Sequence, residues 1–215
     1  MKHFNGNKMC SVVIRTTGPI PRYHDLIDIS VIPMDYGLKR DKSIMPFSMY
    51  VEPTRLENID FEQAAKDRKF DNNIDYRTFY INKTKLRTVC QTGVEESKAA
   101  DLFVDWCEKL KLRNNKKILA LAYDWAFVSQ FIEDWLGPKT FDLYFDERYR
   151  DLQQAALFVN DRASWRDEIV IPFAKTNFAY IANKCQVQLG TVDDTLNDAS
   201  AMIDCYKQIC QMPIN

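Results

Sequence analysis

The sequence has little of what most metal and nucleophile sites are built from. Only two of its 215 residues are histidines, His3 and His24, and its six cysteines (10, 90, 107, 185, 205 and 210) include no Cys-x-x-Cys pair. Zinc sites draw on His and Cys at short spacings, so none is expected. Scattered singly through apolar segments, the cysteines read as reduced, mostly buried thiols. No stretch approaches the ~20 apolar residues of a membrane span. The polar start MKHFNGNK lacks the apolar centre of a signal peptide. A cytoplasmic protein without a membrane partner is expected. An excess of charge is missing too: 29 basic residues stand against 30 acidic ones, a formal net charge of −1. That balance neither marks nor excludes a nucleic-acid binder, because a local basic groove fits inside a neutral total.

What is present is a globular composition, 46% hydrophobic and 27% charged, which argues against disorder. The length suits one core and one domain over 1–215. Residues 9–16 and 26–33 are apolar and β-rich, separated by a turn containing Gly18 and Pro21. A third strand is expected from Phe47 to Glu52, and a short helix from Phe61 to Lys69. Glu95 to Leu112 has Ala99, Leu102, Phe103, Trp106 and Leu110 on one face, the spacing of an amphipathic helix. Ile118–Ala122 reads as a strand, and 125–135 as a helix stopped by Gly137-Pro138. Phe141–Phe145 reads as a further strand. Helices are expected at 151–159, at 173–185 behind Pro172, and at 195–210. Strands followed by alternating helices and strands point to an α/β fold.

Three short stretches carry more than fold. The first runs from Val12-Val13-Ile14-Arg15 through Thr16-Thr17-Gly18 to Pro21, His24 and the strand Leu26-Ile27-Asp28-Ile29. The second follows Ile118–Ala122 and reads Tyr123-Asp124-Trp125-Ala126-Phe127-Val128. The third is Asp193-Asp194-Thr195-Leu196-Asn197-Asp198-Ala199. In this order and spacing they resemble the three motifs of the DEDD proofreading-type 3′→5′ exonucleases, in their DEDDh branch. That resemblance implies an RNase H-like exonuclease fold, with a central mixed five-stranded sheet flanked by helices. Phe141–Asp161 also resembles phage-encoded members, which would place the protein in a host cytoplasm.

The same family holds two Mg²⁺ or Mn²⁺ ions on four carboxylates and uses a His as general base. Here the two ligand positions of the first motif are Val13 and Arg15, and that of the second is Val128. Asp198 keeps the last ligand position, and Asp193 stands where the base would be. The sister branch places a Tyr one residue later, which here is Asp194. The resemblance therefore implies ancestry without chemistry: three of four ligands and the base are replaced, no catalytic residue is assigned, and no metal or other cofactor is expected. Arg15 is expected to pair with Asp198, with Asp124 or Asp193 able to join.

Binding remains open. In the family, backbone amides at the TTG turn and nearby apolar side chains grip the 3′-terminal nucleotide. Arg15, Thr16, Thr17, Trp125 and Phe127 are the corresponding candidates here for single-stranded RNA or DNA, through phosphate pairing and stacking. The plain alternative makes Trp125 and Phe127 core residues. The basic runs Lys109–Lys117 and Lys83–Arg87 read as solvated surface, and Arg148 and Arg150 as partners of neighbouring acids. Met202, Ile203, Tyr206 and Ile209 have core spacing. A pseudo-nuclease binding single-stranded nucleic acid is the leading expectation. The alternatives are a protein-interaction or scaffold factor, and an active exonuclease with ligands displaced onto Asp124, Asp193, Asp194, Asp28 or Glu133.

Overall fold

The computed structural model describes residues 6–56, 86, 88–110, 116–166, 170–190 and 194–213. The expected helix Phe61–Lys69, the basic residues Lys83, Lys85 and Arg87, and Asp193 lie outside these residues. Five strands form one mixed sheet: β1 (Lys8–Thr16), β2 (Leu26–Pro33), β3 (Phe47–Tyr50), β4 (Ile118–Ala122) and β5 (Phe145–Asp151), in the order β3-β2-β1-β4-β5. β1–β2 and β2–β3 are antiparallel, whereas β1–β4 and β4–β5 are parallel. The helices are α1 (Glu96–Lys109), α2 (Trp125–Leu136), α3 (Pro138–Tyr144), α4 (Leu152–Trp165), α5 (Phe178–Lys184) and α6 (Thr195–Gln211). This is the central mixed five-stranded sheet flanked by helices that the resemblance implies.

Strand alternation sorts the core into two layers. Cys10, Val12 and Ile14 of β1 face a cluster with Phe103, Trp106, Phe131 and Trp135 from α1 and α2. Met9 and Val13 face the opposite cluster, with Leu152, Ile181, Met202 and Ile203 from α4, α5 and α6. Such two-sided cover explains why all eight residues of β2 are buried, including Asp28 and Ser30. Met202, Ile203, Tyr206 and Ile209 are core residues.

Two expectations need correction. Phe141–Phe145 is not a strand: Gly137 turns the chain at φ 75°, Pro138 opens α3, and Phe141 and Tyr144 lie on that helix. The strand begins at Phe145 and carries Glu147, Arg148 and Tyr149 exposed, which a sheet edge tolerates and an interior strand does not. Arg148 pairs locally with Asp146 at 2.7 Å. The helix expected at 173–185 is only Phe178–Lys184, capped by the Asn177 side chain and not opened by Pro172. Residues 173–177 run irregularly because Asn160 holds the backbone of Phe173 from both sides, donating to its carbonyl at 2.7 Å and accepting from its N–H at 2.8 Å. Smaller differences are that α1 ends at Lys109, α4 continues to Trp165, and β3 ends at Tyr50. No helix among the described residues is long and apolar enough to cross a membrane.

Candidate functional site

A cavity of about 380 Å³ opens beside the carboxyl end of the parallel pair β1–β4. In open α/β sheets this is where strand ends and helix starts leave a crevice. Pairing of β1 with β4 stops at Ser11, so Val12 to Arg15 continue past it and form one wall. The start of α2 supplies Phe127 and Val128, and α6 supplies Asp198 and Met202. Tyr123, Asp124 and Phe178 complete the lining.

A chain of buried hydroxyls fixes α6 over the sheet. Thr195 donates to Asp28 at 2.9 Å and lies 2.8 Å from the Ser30 hydroxyl, which meets Ser48 at 2.9 Å. One turn further, Ser11 donates to the carbonyl of Ala199 at 2.8 Å. Asp28 stands opposite Arg15 in the β1–β2 register. Asp198 follows Thr195 by three residues and shares its helix face. Its carboxylate therefore comes down over Arg15, and Arg15 Nη2 pairs with Asp198 Oδ2.

The neighbouring acids are committed elsewhere. Asp194 caps α6, accepting from the N–H groups of Leu196 (2.9 Å) and Asn197 (3.1 Å) and from the Asn197 amide. Asp124 sits in the left-handed region (φ 57°) as the cap of α2. Asp151 accepts from the Trp125 N–H at 2.7 Å and also caps α4. Asp134 on α2 meets Arg22 and Arg55, and Arg55 also pairs with Asp25 at 2.7 Å, which ties the turn after β1 to α2. Burial, reinforced by Asp124 and Asp151, pushes the Tyr123 hydroxyl above its usual range, so it stays a protonated phenol at pH 7.

The structure thus brings Val13, Arg15, Val128 and Asp198 around one cavity, with Phe127 beside them. Thr16, Thr17 and Trp125 do not line it. The Thr16 hydroxyl donates to the Gly18 carbonyl at 2.7 Å, and the Thr17 hydroxyl accepts from the Asp25 N–H at 2.9 Å, so both close the turn. A Cβ on Gly18 would lie 2.1 Å from His24 Cδ2, so the turn requires glycine for this close approach. Trp125 is buried among Phe141, Phe145 and Tyr149, with ring centroids 5.8–6.4 Å away. Tyr123 and Phe178 were not singled out as site residues in the sequence, although Tyr123 directly follows β4 in the second motif.

The donor set does not fit the paired divalent ions of the resembled family. Valine offers no lone pair at two of the four positions, and a guanidinium at the third is paired with the remaining carboxylate. Among the described residues no three His, Cys, Asp or Glu side chains converge on a possible metal position.

The sequence matches no family model and no curated protein. Solved structures are similar in fold. E. coli exonuclease I in complex with a dT13 oligonucleotide aligns at TM-score 0.67 and 13% identity, over 95% of this chain and 41% of that one. Exonuclease I of Methylocaldum szegediense aligns at 0.66 and 14%, over 96% and 41%. Cell-death related nuclease 4 aligns at 0.65 and 13%, over 96% and 64%. The chain therefore spans about two fifths of the exonuclease I chains. Its mixed five-stranded sheet with flanking helices is the fold it shares with these nucleases.

Proposed function

We propose that this chain is a non-catalytic exonuclease-fold protein that acts by binding single-stranded nucleic acid, RNA or DNA. The observation that carries the reading is the Arg15–Asp198 pair inside the cavity, at positions where the resembled nucleases hold metal on carboxylates. Two-metal hydrolysis needs a clamp of carboxylates around ions ~3.5–4 Å apart. A guanidinium ~4 Å from a divalent ion opposes it by several kcal/mol at an effective dielectric of ~20. A single carboxylate rarely holds Mg²⁺ without a substrate phosphate to help. Asp194 and Asp28, two of the carboxylates onto which ligands could be displaced, are engaged as a helix cap and as the acceptor of Thr195. Loss of chemistry leaves the crevice itself, with aromatic side chains on two of its walls. A nucleic-acid ligand is supported by the fold shared with exonuclease I, which is known in complex with a dT13 oligonucleotide.

The test is binding of labelled single-stranded DNA and RNA at several salt concentrations. Affinity that falls with salt supports the reading, because phosphate contacts release counterions. A monodisperse protein with no affinity for either overturns it. The second reading is a protein-interaction role, favoured by one face of α4, where Phe158 is 61% and Trp165 90% exposed. A Phe158→Ser, Trp165→Ser double variant with unchanged fold and unchanged association behaviour would remove that reading's support.

A further inference from the structure

We infer that the cavity takes an uncharged planar ring, the terminal base of a bound strand, in the place where the resembled exonucleases hold metal ions and the scissile phosphate. This rests on the nucleic-acid reading above and adds which part of the strand enters.

Charge decides against phosphate. The lining holds one guanidinium, Arg15, against two carboxylates, Asp124 and Asp198. Arg15 already pairs with Asp198, so an entering phosphate meets a carboxylate at least as readily as a free cation. In a metal-loaded nuclease the ions reverse that balance, and here a side-chain cation only neutralises it.

Shape and surface favour a ring. Val13, Val128 and Met202 provide apolar floor, and Tyr123, Phe127 and Phe178 provide three aromatic groups. Tyr123 and Phe178 lie with ring centroids 6.0 Å apart, and Phe127 is backed by Phe131 at 5.0 Å. A volume of about 380 Å³ falls within the ~300–1,000 Å³ typical of small-ligand pockets. The polar side chains of the lining are few: the Arg15–Asp198 pair offers guanidinium donors beside a carboxylate acceptor, and Asp124 and Tyr123 are on the same lining. That arrangement suits the edge of a base, which carries both donors and acceptors.

The experiment compares the intact protein's affinity for one short single-stranded oligomer in five forms: unmodified, abasic at the 3′ end, abasic at the 5′ end, 3′-phosphorylated and 5′-phosphorylated. Removing the base at one end is expected to weaken binding about 5- to 150-fold, the equivalent of the ~1–3 kcal/mol of one base stacked on an aromatic side chain. Removing it at the other end has little effect. A phosphate added at the sensitive end gives no gain. In the Phe178→Ala variant the difference between intact and abasic ends shrinks towards unity, and Phe127→Leu serves as a milder second variant. If abasic and intact ends bind equally, or a terminal phosphate tightens binding, the inference is overturned while the nucleic-acid reading stands. If no form binds, both fall.

Discussion

Arg15 on β1 and Asp198 on α6, 183 positions apart in the chain, meet as an ion pair on the lining of the cavity. Their side chains are 27% and 12% exposed, so the pair is neither a free surface contact nor fully enclosed. Removing one partner strands the other charge. Arg15→Met is expected to cost about 1–3 kcal/mol, below the ~3–5 kcal/mol of fully buried pairs because water still reaches the arginine. Arg15→Met with Asp198→Leu is expected to recover most of the loss. Urea unfolding of the four proteins in a double-mutant cycle gives the coupling directly. Strictly additive losses would show that the two charges do not depend on each other.

Gly18 and His24 make a second dependency. An alanine at 18 drives its Cβ into the imidazole, so Gly18→Ala is expected to destabilise by about 1–3 kcal/mol. Adding His24→Ala removes the obstacle and is expected to return part of that stability. Thermal melts of the single and double variants check this, and a neutral Gly18→Ala would contradict the close approach.

Two carboxylates set the acid limb of stability. Hydrogen bonds from Lys8 and then Ser43 hold Asp41 at about 2, and the Arg148 side chain holds Asp146 at about 2. Both folded values lie below the ~3.9 of an unfolded aspartate. Their contribution is therefore complete above about pH 4 and disappears as pH falls towards 2. Asp41→Asn and Asp146→Asn are each expected to flatten the loss of melting temperature between pH 4 and 2. An unchanged slope in the double variant would contradict the assignment.

Thiol reactivity reports on burial. Burial pushes the Cys10 thiol up to about 12 and raises Cys107 and Cys210 as well, but Cys210 is exposed while the other two are buried. Cys205, also buried, is raised by its hydrogen bond with Cys185 and then by burial. Labelling of the native protein at pH 8 is expected to modify Cys210 first and to reach Cys10, Cys107 and Cys205 only on unfolding. Mass-mapped labels appearing early on Cys10 would contradict the packing of β1.

Much of the fold was legible because it rests on local pattern. β4 is a continuous apolar run, β1 and β2 are mostly apolar, and α1 and α6 carry helical spacing. The segment 138–151 misled because Phe141-Asp-Leu-Tyr-Phe alternates like a strand, while its true strand is charged and survives only at a sheet edge. In the second motif Trp125 reads as a stacking candidate, and its partner Phe141, on the helix α3, is not visible from that motif. The positions 13, 15, 128 and 198 were legible from their motifs, since three short motifs fix where strand ends and helix starts converge. Phe178 was not, because no local pattern shows that the irregular run 173–177, held at Asn160, delivers it to the cavity.

The central claim is that the cavity binds without cutting. The direct measurement is incubation of end-labelled single-stranded DNA and RNA with the protein in Mg²⁺ and in Mn²⁺, followed on a denaturing gel. Full-length strands are expected to persist in both metals while the protein retains them in a native gel. Progressive shortening from the 3′ end that disappears in an Asp198→Ala variant would contradict the account.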